Sequence, residues 1–128
     1  MSKKILQVVE SAFRATLEEQ DDTVVWLTHA MRGAGGEFGL LLRGNAVNTA
    51  VRGQDTSGLS FGDRTQRHRT DLADDIAKLM SKGVRVSVVA EDLVERGLRP
   101  EDLIAGLEVV PRAALPDVFE AFDQVWHW

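Results

Sequence analysis

The chain contains no cysteine. Disulfides, thiolate metal sites and thiol chemistry are therefore excluded together, while the compartment stays open. It also lacks a long hydrophobic run: no segment approaches the ~18 apolar residues a membrane helix needs. The basic start Met1-Ser-Lys-Lys4 is followed by an apolar segment broken at Gln7 and Glu10, which is not the pattern of a secretory signal. Basic charge is not in excess either. A formal net charge of −5 leaves no electrostatic footprint for sequence-independent binding to nucleic acid. Phosphate and nucleophile motifs are missing too. Gly33-Ala-Gly-Gly36 follows a helical pattern rather than a strand, so it reads as a helix stop and not a dinucleotide fingerprint. There is no Walker sequence and no G-x-S-x-G elbow. His29, His68 and His127 are too scattered to form a metal-ligand pattern. The expectation is a cytoplasmic protein with no cofactor, no metal, and neither membrane nor nucleic acid as partner.

What is present is an ordinary globular composition, 44% apolar and 27% charged over 128 residues, long enough to bury roughly two thirds of the unfolded surface. Strand-like and helix-like patterns alternate along one domain, residues 1–128. Residues 5–9 form a short β-branched apolar run, and 38–42, 84–89, 107–110 and 125–128 read as four further strands. Between them lie helical stretches. One starts at Asp21-Asp22 and carries Val24, Leu27 and Met31 on one face. A short one covers 46–51, and one from Thr70 or Asp71 carries Leu72, Ile76, Leu79 and Met80. Others follow Glu91, Pro100 and Ala114. Strands separated by helices require crossovers, so the predicted fold is α/β, a three-layer α/β/α sandwich around a mostly parallel five-stranded sheet. Residues 53–67 form a long polar connection with Leu59 and Phe61 as apolar anchors. Such loops are usually functional, interfacial or mobile. Trp26, Trp126 and Trp128 read as core aromatics, with Trp128 alternatively buried at a subunit contact. His127 should face away from both neighbouring tryptophans.

Chemistry in such folds sits outside the carboxyl ends of the strands. Here the informative segment is Val84-Arg-Val-Ser-Val-Val-Ala-Glu-Asp-Leu-Val-Glu-Arg-Gly97, a buried strand delivering Glu91 and Asp92 into a short helix. These carboxylates would bind a ligand or partner, act as general base, or simply cap the helix. Ser11 leaves the first strand at the same edge; with no base positioned by the sequence it reads as a turn residue before a nucleophile. Asn45, in the Gly44-Asn45 turn, adds to the same crevice. Arg64, Arg67, His68 and Arg69 form a local basic cluster diluted by Asp63 and Asp71.

The residues so assembled resemble the DsrE/DsrF-like family of sulfur-relay proteins, including its TusD-type subunits. The likeness runs through Ile5-Leu-Gln-Val-Val-Glu-Ser-Ala12, Gly44-Asn-Ala-Val47, Gly83-Val-Arg-Val-Ser-Val88, Leu93-Val-Glu-Arg-Gly97, Asp102-Leu-Ile-Ala-Gly106 and Phe122-Asp-Gln-Val-Trp126, in that order. The resemblance implies a homo-oligomer, a trimer or hexamer, with a sulfur carrier or other protein as partner. It also implies a persulfide-bearing cysteine at the tip of the third strand. Counting back from Arg96-Gly97, that position is Val89, and Asp92 falls where some relatives have a second cysteine. Neither residue can receive or release sulfane sulfur. The expected function is thus a non-catalytic DsrE-like oligomeric binding or scaffold protein linked to sulfur trafficking, its binding residues Ser11, Asn45, Glu91 and Asp92. The alternative is a small-molecule or nucleotide-binding domain using the same crevice.

Overall fold

A computed structural model of the chain describes residues 3–13, 22–66 and 70–128. The expected helix start at Asp21, most of the segment running to Gln20, and Arg67, His68 and Arg69 of the basic cluster lie outside the described residues. Strand β1 (Lys4–Val9) is followed by α1 (Thr23–Gly33), β2 (Glu37–Leu42) and a 3-10 turn over Gly44–Ala50. Next come a two-residue hairpin, β3 (Ser60–Phe61) and β4 (Arg64–Thr65), then α2 (Leu72–Ser81), β5 (Arg85–Val89) and α3 (Ala90–Glu95). The chain finishes with β6 (Glu108–Val110), α4 (Leu115–Glu120) and β7 (Gln124–His127).

The five long-range strands form one sheet in the order β6-β5-β2-β1-β7, and every pairing within it is parallel. The chain builds outward from β1 through β2 and β5 to β6, then returns to lay β7 on the free side of β1. All five carboxyl ends therefore share one edge, and the crevice rule for α/β sheets points there.

Alternation along the strands sorts the core into two halves. Val9, Leu40, Leu42, Val86 and Val88 point to one face, where Val24 and Val25 of α1 and Ile76 and Leu79 of α2 cover them. Leu6, Val8, Leu41 and Val89 point to the other, where Leu115, Val118, Phe119 and Phe122 close over them. Each fully buried leucine or isoleucine contributes about 1.5–3 kcal/mol. Helix ends follow local chemistry. The Asp22 carboxylate accepts from the Val24 and Val25 amides at 2.9 and 3.2 Å, and Asp71 accepts from the Asp74 amide at 3.1 Å; both satisfy orphan donors of a first turn.

Several aromatic and loop expectations are corrected. Trp26 is 58% exposed and Trp128 45% exposed, so neither is a core residue. Trp26 projects from the side of α1 opposite its buried Val24, Val25 and Thr28, and Trp128 stands at the end of an edge strand. Trp126 alone is half-buried, edge-on to Phe38 with centroids 6.4 Å apart. The predicted alternation of the last strand does occur: His127 reaches Glu10 while the Trp128 indole donates to Gln7 Oε1 at 2.7 Å. Leu59 and Phe61 do not anchor the 53–67 segment. Phe61 is 74% exposed because the segment folds on itself as the β3–β4 hairpin. Gly62 supplies the positive φ, 62°, favoured in such tight turns.

The second face is covered by the six-residue α4, and its docking depends on one glycine. A Cβ at Gly39 would sit 2.4 Å from the Phe122 ring, so the aromatic lies directly against the strand backbone. Gly39→Ala should destabilise the fold by about 1–3 kcal/mol in urea unfolding, and Phe122→Leu in the same background should recover part of the loss. No change on Gly39→Ala would refute this packing.

Candidate functional site

The strand tip does bring most of the expected residues together, and it also occupies them. Residues 43 and 44 leave β2 so that the Gly44 amide, at φ 57°, donates to Asp92 Oδ2 at 2.8 Å. The other carboxylate oxygen, Oδ1, accepts from Arg112 Nη2 at 3.1 Å, and Asp92 is 7% exposed. Glu91 is likewise engaged: both its oxygens accept from the Arg112 amide, at 2.9 and 3.1 Å. Arg112 follows Pro111 at the end of β6, so one residue holds both carboxylates.

Asn45 belongs to the same assembly through another arginine. Its Oδ1 accepts from Arg96 Nε and Nη2 at 3.1 and 2.9 Å, while Arg96 Nη1 donates to the Asp92 carbonyl at 3.0 Å. Glu95 stands 3.7 Å from both arginines. Ser11 is exposed and is not joined to this network by any hydrogen bond among the described residues. Beside it Glu10 faces Arg43 at 3.4 Å and His127 Nε2 at 3.1 Å. The tip is therefore a set of mutually satisfied polar groups spanning the ends of β1, β2, β5, β6 and β7.

This arrangement corrects one reading. The carboxylates do not cap their own helix: position 89, the N-cap of α3, is a valine with no side-chain cap, and Asp92 instead satisfies an amide from a neighbouring connection. All four oxygens of Asp92 and Glu91 accept from protein donors, which uses part of the acceptor capacity of each carboxylate. Two carboxyls on turns, Asp55 and Asp102, are held below their ordinary value of 3.8. The Ser57 backbone N–H lowers Asp55 and the Arg99 backbone N–H lowers Asp102. Among the described residues no group of three or more His, Asp or Glu side chains is placed to hold a metal ion.

Val89 is fully buried, in the cluster of Leu6, Val8, Leu41 and Leu115 beneath α4. Position 89 is thus part of the core and not an exposed strand tip. Glu10 leaves the first strand at the edge expected from the sequence, whereas Arg112, Arg96 and Arg43, which complete the tip, carry no sequence motif of their own. Arg96, four residues after Asp92, was the one detectable by spacing; the others become neighbours only through strand order.

No protein-family profile matches the chain, and no curated protein matches it in sequence. Solved structures do share its fold. The YchN protein of E. coli superposes with a TM-score of 0.75 at 19% identity over 100% of both chains. A protein of unknown function from Methanobacterium thermoautotrophicum gives 0.64 at 14% identity, again over 100% of both chains. One from Bacteroides thetaiotaomicron gives 0.66 at 11% identity, over 98% of this chain and 95% of that one. The chain therefore shares its fold with YchN. These identities establish architecture and nothing finer.

Two outcomes test this geometry. Asp92→Ala strands the Gly44 amide and frees Arg112, and should cost about 2–3 kcal/mol in urea unfolding; Glu91→Gln, at a more exposed site, should cost under about 1 kcal/mol. Equal losses would contradict the asymmetry. Val89→Cys should resist iodoacetamide in the native protein and react fully in denaturant, since alkylation requires an accessible thiolate. Fast native alkylation would show that the position is not sealed.

Proposed function

We propose that this chain is a non-catalytic subunit of DsrE/YchN-like fold, acting as an oligomeric binding or scaffold protein in sulfur trafficking and unable to carry persulfide itself. The observation that carries the reading is Val89: the strand end that would present a sulfur-bearing side chain presents a buried valine instead. With no thiol in the sequence, sulfur must reside on a partner, such as a sulfur-carrier protein. A cytoplasmic location goes with this reading, and no helix among the described residues is long and apolar enough to cross a membrane.

The surface supports association. Phe61, Val94, Trp26 and Trp128 are large apolar side chains at 74, 76, 58 and 45% exposure. Scattered singly they would need no explanation, but tryptophan is enriched at interface centres. The sheet's two edges also differ. β6 is three residues long, carries Glu108, and is stopped by Pro111, devices that blunt an edge. β7, Gln-Val-Trp-His, has no lysine or proline and leaves one row of backbone groups unpaired in the sheet.

The alternative, a small-molecule or nucleotide site at the tip, draws little support, because Asn45, Glu91 and Asp92 are already bonded to other groups of the chain. The catalytic alternative, with Glu91 or Asp92 as general base, draws no more support from the same bonded carboxylates.

Native mass spectrometry of the purified chain should give a trimer or hexamer without a bound small molecule, and incubation with a persulfide donor should leave the subunit mass unchanged. A monomer at micromolar concentration would contradict the scaffold reading. Stable addition of sulfur would contradict the inert tip.

A further inference from the structure

A second cleft, of about 360 Å3, opens at the opposite end of the sheet, where the amino ends of β1, β2 and β5 meet the end of α4. Its charged lining consists of Lys4, Arg32, Arg85 and Glu37, and its apolar wall includes Phe38 and Phe122. Three cations and one carboxylate line the cleft, and two further carboxylates, Glu108 and Asp123, are bonded to Arg85 and to the Lys4 backbone amide.

The three cations are not equivalent. Arg85 is paired with Glu108 through contacts of 2.7 and 2.9 Å, so its charge is largely cancelled. Arg32 is held differently. Its Nε donates to the Lys82 carbonyl and its Nη1 to the Gly36 carbonyl, both at 3.1 Å. These acceptors are neutral, so they fix the guanidinium without neutralising it. Its Nη2 lies over Gly83, 3.5 Å from where a Cβ would stand. Gly83 is there because φ is 88°, and it keeps that side of the cleft open. Lys4 is anchored by its backbone: its amide donates to the Asp123 carboxylate at 2.8 Å, and its carbonyl accepts from the Asp123 amide at 2.8 Å. Among the described residues, neither the Lys4 ammonium nor the Arg32 guanidinium has a carboxylate within ion-pair distance. Every arginine at the strand tip has one, and that contrast separates the two ends of the sheet.

We propose that this amino-end cleft is a binding site for a small organic carboxylate with an apolar body. The carboxylate would take its hydrogen bonds from Arg32 Nη2 and the Lys4 ammonium, a pre-positioned single donor and a mobile point charge respectively. The apolar body would lie against the half-buried Phe122 ring. Glu37, in register with Lys4 on the adjacent strand, disfavours a second negative group and so selects a monoanion. The site is independent of the strand tip and of the reading of that tip.

Benzoate is the probe, titrated into the 15N-labelled full chain, with inorganic phosphate as a parallel arm. Saturable shifts are expected at the amides of Gly36, Gly83, Arg85 and Phe122, with a Kd of about 1 mM. Lys4→Glu changes an exposed side chain and should weaken benzoate about tenfold, with urea unfolding of the variant checking that the fold is retained. Three results would overturn the proposal: no saturable shift by about 20 mM benzoate, binding indifferent to Lys4→Glu, or phosphate giving the same shifts at the same concentrations. The last would reduce the cleft to general charge attraction.

Discussion

The Asp92 carboxylate joins three segments that are distant in sequence. One oxygen accepts the Gly44 amide at the end of β2 and the other accepts Arg112 beyond β6, while the residue itself sits in the first turn of α3. A buried carboxylate is tolerated only when its charge is met and its lone pairs are filled. Here both conditions are met by neighbouring connections, which fixes how the ends of β2, β5 and β6 sit together. Glu91, Asn45 and Arg96 are placed around that clasp, and the Val89 side chain is pressed into the core on the face beneath α4.

A strand tip in an α/β sheet is the natural place for a reactive group, and this sheet brings all five carboxyl ends to one edge. The polar groups there bond to one another. A thiolate site needs an exposed, electropositive pocket around its sulfur; this tip has a buried valine and carboxylates engaged by Arg112, Arg96 and Arg43. Association and recognition remain open to such a molecule through its exposed tryptophans and its unblunted β7 edge. The uncancelled cations lie at the far end of the sheet.

Much of the fold was legible because periodicity and punctuation agree. The five strands were placed to within a residue or two, and the all-parallel sheet follows from the crossovers between them. The helix stops near Gly35, Gly83 and Gly97 coincide with positive φ values. What the sequence concealed was pairwise. Nothing in the spacing of Glu91 and Arg112, twenty-one residues apart, announces that they meet; strand order alone makes them neighbours. The tryptophans misled because burial was inferred from residue type, and Trp26 stands on the solvent side of its own helix. The 53–67 segment misled similarly: Leu59 and Phe61 have apolar side chains but no core to enter, since the segment pairs with itself.

Hydrogen exchange of the Gly44 amide tests the clasp most directly. It is a loop amide without a backbone acceptor, so only Asp92 protects it. The account predicts that in the native protein it exchanges as slowly as core amides of β2, through openings close to global unfolding, and that Asp92→Asn accelerates it markedly. Exchange of Gly44 at the rate of an unprotected loop amide in the unaltered protein would contradict the claim that the strand tip is a closed structural junction.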